Sequence, residues 1–527
     1  MSETADDLGG IDPAVYARRW RILPVLCLSL SIVMVANGSL NIALPSLARE
    51  LDASTSSLQW MVDVYALVFA GLLFTAGTIG DRYGRKGTLQ GGLLLFLVGA
   101  AVAAGADSAG VVVGARALMG VAAALVMPST LSILANVFPP HERGRAIAIW
   151  AGVAAAGAAL GPTITGLLLE HLWWGSVFLV NVPLVVLALV LGMRVLPRSR
   201  DPQAGRFDVA GALLSMLGIG SLVYAIIEAP GHGWASTRTL LAFTVAAVFI
   251  ALFVLREHTA RAPMLDLRLF RDRRFSVASG GIAMSFFAMF GTFFLVTQYM
   301  QLVLGHSALY VGISLLPVSL TMAAVSPQAP KLVARFGTAR VAATGLTIVA
   351  VGLVLMSMLG TDSSIAMVVG AFVPMAAGMA ITMTPLTTMI MAAVPRGNAG
   401  IGSAMNDTTR ELGGALGVAV LGSLVNTRYT SELGRFLVDL PAGAAPGAES
   451  GLAGALASAA TLPGAAGRGL AAAARSAYLD GMSFAALVAA GIVLAAAVTA
   501  YVLLPDEAVV PATPEDDLSG VEELEAA

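Results

Sequence analysis

The 527-residue chain has a single cysteine, Cys27, and little charge: 12% of its residues are Asp, Glu, Lys or Arg, against 57% hydrophobic. One thiol excludes an intramolecular disulfide. So little charge in so apolar a chain excludes a soluble globular protein. The charges nearly cancel, 30 basic against 32 acidic, so no nucleic-acid surface is implied. Neither H-E-x-x-H nor G-x-S-x-G occurs, and the five histidines, His141, His171, His232, His258 and His306, are scattered rather than set at ligand spacing. An intramembrane enzyme is therefore left without chemistry, and no metal or cofactor is expected. The absence of G-x-x-x-x-G-K-[ST] excludes a P-loop ATPase.

What is present is a succession of long apolar runs, at about 22–47, 58–79, 88–105, 111–137, 145–169, 174–196, 208–228, 238–256, 276–304, 308–333, 339–359, 364–394, 398–427 and 481–504. A run of ~20 apolar residues crosses ~30 Å of hydrocarbon as a helix, so the expectation is an all-α integral membrane protein with fourteen transmembrane helices. The first run passes signal-peptide length without a small-residue cleavage site and should stay as a signal anchor. With the N-terminus inside, 22 basic residues fall on the cytoplasmic side and 6 outside, which places both termini in the cytoplasm. Residues 1–21 are then a cytoplasmic N-terminus and 505–527 an acidic, solvated cytoplasmic tail. The Ala- and Gly-rich segment 428–480 is expected as an extracytoplasmic loop with short helices.

An internal repeat organises the spans. Asp81-Arg82-Tyr83-Gly84, after the second span, is echoed by Ala334-Arg335-Phe336-Gly337 after the tenth. Two copies of a six-span unit, 22–196 and 276–504, with two inserted spans at 208–256, explain that placement.

The turn Gly77-Thr78-Ile79-Gly80-Asp81-Arg82-Tyr83-Gly84-Arg85-Lys86-Gly87 carries the most chemistry. Gly84 permits a sharp reversal, and Asp81 can pair with basic groups and with the positive N-terminus of a neighbouring helix, acting as a conformational latch. Arg82, Arg85 and Lys86 serve equally as topology signals. In span 5, Gly157 and Gly161 form a small-xxx-small step beside Pro162, which suits a tightly packed, bent helix.

The turn matches G-x-x-x-D-R-x-G-R-K of the major facilitator superfamily. Gln59-Trp60-Met61-Val62-Asp63-Val64-Tyr65, Arg116-Ala117-Leu118-Met119-Gly120, Gly157-Ala158-Ala159-Leu160-Gly161-Pro162 and Gln298-Tyr299-Met300-Gln301 are similar to segments of its fourteen-span drug:proton antiporters of the QacA/EmrB type. The resemblance implies the major facilitator fold, a bacterial inner-membrane location and alternating access. It also implies a substrate cavity, to which Asn37, Asn41, Trp60, Tyr65, Gln298 and Asn406 are assigned.

Charges inside spans report on mechanism, because each costs upward of ~2.5–3.5 kcal/mol at the bilayer centre unless it faces a cavity. Asp63, Arg116, Asp407, Arg410 and Glu411 are such residues. A desolvated carboxyl group can hold a proton near neutral pH and release it on wetting, which is the minimum machinery for proton exchange. Asp407 and Glu411 share one helix face, and Arg410 can neutralise one of them. The expectation is a structurally paired Asp407 and a titratable Glu411. Asp63 is either hydrated at the outer mouth or, as the resemblance implies, turned to the cavity for cation recognition or proton coupling. Arg116 is either a packing residue or, by the same resemblance, part of a proton relay.

The sequence departs from the family's dication exporters: Ala36-Asn37-Gly38-Ser39-Leu40-Asn41 in span 1 holds no acid, and Met322 stands where they carry one. Monovalent lipophilic cations, neutral drugs or amphiphilic lipids become the expected cargo. The expected function is proton-coupled multidrug efflux by a monomer, whose partners are a small lipophilic substrate, protons and membrane lipid. The alternative is export of an endogenous lipid, siderophore or antibiotic.

Overall fold

The computed structural model describes residues 11–51, 53, 55–200, 208–260, 265–395, 399–437, 448 and 451–504. The acidic tail at 505–527 and the first ten residues, both named above, lie outside them.

The described chain is helical. In order the long helices are α1 (Arg19–Glu50), α2 (Thr55–Tyr83), α3 (Arg85–Ala104), α4 (Ala109–Val137), α5 (Pro140–His171), α6 (Ser176–Val195) and α7 (Val209–His232). They continue as α8 (Thr237–Thr259), α9 (Arg273–Gln298), α10 (Leu309–Phe336), α11 (Thr338–Met356), α12 (Ile365–Ala393), α13 (Ala399–Leu437) and α14 (Gly464–Leu503). Twelve of these are long and apolar enough to cross a bilayer. The other two, α5 and α13, have 32 and 39 residues, and Asp407, Arg410 and Glu411 dilute the apolar character of α13.

Sequence signals account for the helix starts. The side chains of Asp208, Ser236, Asp272, Ser307 and Ser364 each accept a backbone N–H of the first turn they precede, beginning α7, α8, α9, α10 and α12. Prolines act inside helices too. Around Pro317 and Pro327, α10 is divided at Leu315 and by a 3₁₀ turn at Ser326–Gln328.

Two buried apolar clusters divide the bundle. One gathers side chains of α1–α6 with Ile219, Val223 and Phe253 from α7 and α8; the other gathers α9–α14. Ala399, Ile401 and Ala404, at the head of α13, are buried in the first cluster although the rest of α13 packs on α9 and α14. That helix therefore belongs to both halves. A second seam runs along α5 and α10, where Ser326 Oγ donates to the carbonyl of Ala148 at 2.8 Å.

The segment expected as a loop at 428–480 is largely helical where described. α13 runs to Leu437, α14 starts at Gly464, and a short helix, Leu452–Thr461, packs on α14. Tyr429, Leu433, Leu470 and Ala474 are buried in the second cluster, so both long helices gain apolar contacts beyond the expected span ends.

Candidate gating and coupling sites

The turn between α2 and α3 is held from three directions. Gly84 has φ +115°, in the left-handed region that favours glycine. Lys86 Nζ donates to the carbonyls of Met193 and Leu196, both at 2.8 Å, and so caps the C-terminal end of α6. Arg82 lies over the Tyr83 ring at 5.3 Å. The echo after α10 repeats these features: Gly337 has φ +85° and Arg335 lies over Phe336 at 5.1 Å.

Asp81 is buried and reaches across the bundle. Its carboxylate pairs with Arg85 at 2.7 Å and accepts the backbone N–H groups of Gly400 at 2.8 Å and Ile401 at 3.3 Å. The unsatisfied N–H groups and positive dipole end of α13 explain the preference for an anion there. Gly77 lets the two backbones meet, because an added Cβ would lie 2.5 Å from the carbonyl of Gly400.

Farther along α13 lies the charge cluster. Asp407 is fully buried, with Arg410 Nη1 3.5 Å from Oδ1 and the Asn406 side-chain amide 3.4 Å from the same oxygen. Asn406 is itself held by Thr387, whose hydroxyl donates to Oδ1 at 3.1 Å. The Arg410 guanidinium lies 4.7 Å from the Phe286 ring centre and 5.9 Å from that of Trp150. Asp407 Oδ2 is buried with no hydrogen-bond partner among the described residues. Glu411, one turn on, is half-buried and within electrostatic reach of Tyr65 on α2. Arg116 on α4 stands over that Tyr65 ring at 4.2 Å, and its Nε donates to the carbonyl of Met61 at 3.0 Å. Tyr65 and Arg116 thus join α2 to α4.

Asp63 takes a different direction. Two residues before Tyr65, it is turned ~200° around the helix from it. It lines a cavity of about 260 Å³ with Trp60, Tyr224, Glu228, His232 and Arg238, at the junction of α2 with α7 and α8. The structure therefore does not bring Asp63 together with Asp407. Trp60, also assigned to the substrate cavity, is 42% exposed on this same flank. Asn37 is exposed on α1, and Gln298 is half-buried just before a π-helical turn at Tyr299–Val303. The side chains of Asn41 and Pro162 lie outside the described residues. Gly157 and Gly161 press on α1: a Cβ at Gly161 would lie 2.6 Å from the carbonyl of Val35.

Residues that sequence reasoning passed over include Glu228, Trp150, Thr387 and the pair Gly413 and Gly417. Glu228 is an acid at the end of an apolar run, a signal of the same kind as Asp63. Gly413 and Gly417 repeat the small-xxx-small step, and an added Cβ at either would overlap a carbonyl of α9, of Ala283 or Phe287.

The family described as Major Facilitator Superfamily matches residues 26–418. A protein of Mycolicibacterium smegmatis named multidrug efflux pump LfrA is 40% identical over 91% of this chain and 95% of its own. The tetracenomycin C resistance and export protein of Streptomyces glaucescens is 34% identical over 95% of both. Among solved structures, the human organic anion transporter MFSD10 superposes with a TM-score of 0.62 at 14% identity, covering 92% of this chain and 99% of that one.

Proposed function

Because the chain belongs to the major facilitator superfamily, we propose that it is a proton-coupled multidrug efflux antiporter that exports lipophilic, mainly cationic compounds by alternating access. The 40% identity to a protein named a multidrug efflux pump, over nearly the whole of both chains, carries the reading of cargo. Proton coupling is assigned to the acids of α13: Glu411 titrates, while Asp407 is held by Arg410 and Asn406. Tyr65 and Arg116 pass the change at Glu411 to α2 and α4. Asn37, Asn41, Tyr65, Gln298 and Asn406 are assigned to the central cavity.

The fold is of the fourteen-span type in this reading. α5 and α13 cross as well, since α5 lies along α1 from Ser31 to Val35 and α13 lies along α9 from Ala283 to Phe287. Two six-helix halves, α1–α6 and α9–α14, rock about the centre, and α7 and α8 are inserted between them. Gly77, Asp81, Arg82, Gly84, Arg85 and Lys86 form the cytoplasmic latch, while Gly157 and Gly161 seal α5 on α1. The protein sits as a monomer in a bacterial cell membrane, both termini cytoplasmic. Its energy source is the ion gradient, ~2.3 kcal/mol per charge per 100 mV.

A second reading, export of an endogenous antibiotic, is favoured by the relative named a tetracenomycin C resistance and export protein and by the scarcity of cavity acids in span 1. Everted vesicles with an acidic lumen and a pH-reporting dye separate the two. Ethidium-triggered proton efflux that disappears in Glu411→Gln is the expected result. Silence across a broad panel of cations, with insertion verified, would leave the endogenous exporter.

A further inference from the structure

The ends of α1, α3 and α6 meet on the side of the α2–α3 turn, with α6 packed against both of the others. Arg18 immediately precedes α1, Lys86 stands in the first turn of α3, and Arg198 lies just beyond the end of α6 at Val195. The chain on either side of Arg198 is fixed to the turn. The Leu196 carbonyl accepts from Lys86 Nζ at 2.8 Å, and the Ser199 carbonyl accepts the backbone N–H of Arg85 at 3.0 Å. Arg198 is thereby held beside Lys86.

Three cations converge here. Lys86 lies within electrostatic reach of both Arg198 and Arg18. The two arginines are exposed, and neither forms an ion pair among the described residues. Arg19 and Arg85, their neighbours along the chain, are by contrast each paired with a carboxylate, that of Glu142 or Asp81. Lys86 directs two of its three N–H donors to the carbonyls of Met193 and Leu196, which leaves the third for another acceptor. Like charges gathered in this way repel unless an anion sits among them. Beside them the surface turns apolar: Leu94 and Val98 on α3, and Leu187, Val190 and Met193 on α6, are exposed.

We propose that Arg18, Lys86 and Arg198 hold the phosphate of an anionic phospholipid from the leaflet at this end of the bundle, with its acyl chains along the exposed faces of α3 and α6. Basic side chains at the membrane surface attract anionic headgroups, and two guanidinium groups beside an ammonium suit the oxygens of a phosphodiester. The apolar faces of α3 and α6 select a lipid over a soluble phosphate, which has no chains to lay on them. Because Lys86 also joins α6 to the turn that carries Asp81, the bound lipid ties that turn to the membrane surface. The site goes beyond the efflux reading and depends neither on the cargo nor on proton coupling.

Native mass spectrometry of the full-length protein in detergent, titrated with dioleoyl phosphatidylglycerol or dioleoyl phosphatidylcholine, tests it. The first phosphatidylglycerol is expected to bind in preference to phosphatidylcholine. Its apparent affinity should fall about fivefold in Arg198→Gln, and by as much again when Arg18→Gln is added. Both arginines are exposed, so these variants should melt like the wild type, and Arg198→Lys should keep most of the affinity. The control is Arg271→Gln with Arg273→Gln, which removes two exposed arginines at the start of α9 and should leave the first binding event unchanged. Equal affinity for the two lipids, or a loss in the control as large as that in the Arg18 and Arg198 variant, overturns the proposal. So does displacement of phosphatidylglycerol by an equal concentration of glycerol 1-phosphate, since the site then belongs to a soluble anion.

Discussion

Asp81 binds the backbone N–H of Gly400 with both carboxylate oxygens, at 2.8 and 3.0 Å, across 319 positions of the chain. The bond ties the end of α2 to the head of α13, and so one half of the bundle to the other. A hydrogen bond between a carboxylate and a helix N-terminus is strong enough to bias a rocking equilibrium and weak enough to break in each cycle.

Asp81→Asn is expected to slow transport roughly tenfold, equivalent to about 1.4 kcal/mol, without changing the order in which substrates are preferred. Gly400→Ala should act alike, because its Cβ would lie 2.5 Å from the Gly77 carbonyl and 2.7 Å from an Asp81 oxygen. Initial efflux rates for three or more substrates check both. A rearranged preference at normal turnover would speak against a latch.

The two acids of α13 should separate under amide substitution. Asp407→Asn removes the partner of a buried guanidinium, a change of the kind that costs about 3–5 kcal/mol, so its melting temperature should drop by several degrees. Glu411→Gln should melt like the wild type and yet lose substrate-driven proton movement. Thermal unfolding in detergent and the vesicle assay, run on both variants, decide the assignment. The opposite pattern would exchange the roles.

Gly417→Val should prevent stable assembly, since even a methyl group would overlap the Phe287 carbonyl where α9 and α13 cross. Gly434→Val is the control, as nothing lies within 4 Å of a Cβ there. Detergent-resistant monomer on size exclusion should be recovered for the second and not for the first.

Asp208 joins the inserted helices at its end of α7. It caps α7 through the Gly211 N–H at 3.0 Å and pairs with Arg256 at 2.9 Å. Burial pushes its carboxyl up, but Arg256 and the backbone N–H groups outweigh that and hold it below the usual carboxylate range. Its contribution is therefore complete above the unfolded value of ~4 and is lost as pH falls through the lower folded value. Asp208→Ala should cost about 1–2 kcal/mol at neutral pH. Melting curves of the variant and the wild type should converge as the pH approaches 3; a constant gap would contradict the assignment.

The turn at Gly77–Gly87 was legible in sequence because its requirements are local, a glycine for positive φ and an acid one turn before Arg85, whereas the Met193 and Leu196 carbonyls that Lys86 caps lie more than 100 positions away and were not. The partner of Asp81 was legible only as a type, a helix N-terminus, and not as Gly400. Asp63 shows the limit more sharply. Its family segment groups it with the proton-coupling acids, yet a rotation of ~200° from Tyr65 sends it toward α7 and α8. Glu228 and Arg238 escaped notice because each stands at the edge of an apolar run, where a charge costs little and carries no signal of its own.

The amino-acid order alone dictates the all-helical, membrane-crossing character of the chain, since runs of ~20 apolar residues leave their backbone no partner in lipid except within a helix. It also dictates where the tight reversals fall, at Gly84 and Gly337, because only local backbone sterics are involved. Which helix faces which, and through which side, is a collective matter of packing over hundreds of residues. Hence the bond from Asp81 to Gly400, the seating of Arg116 over Tyr65, and the meeting of Asp63 with Glu228 emerge only once every helix has been rotated and seated against its neighbours.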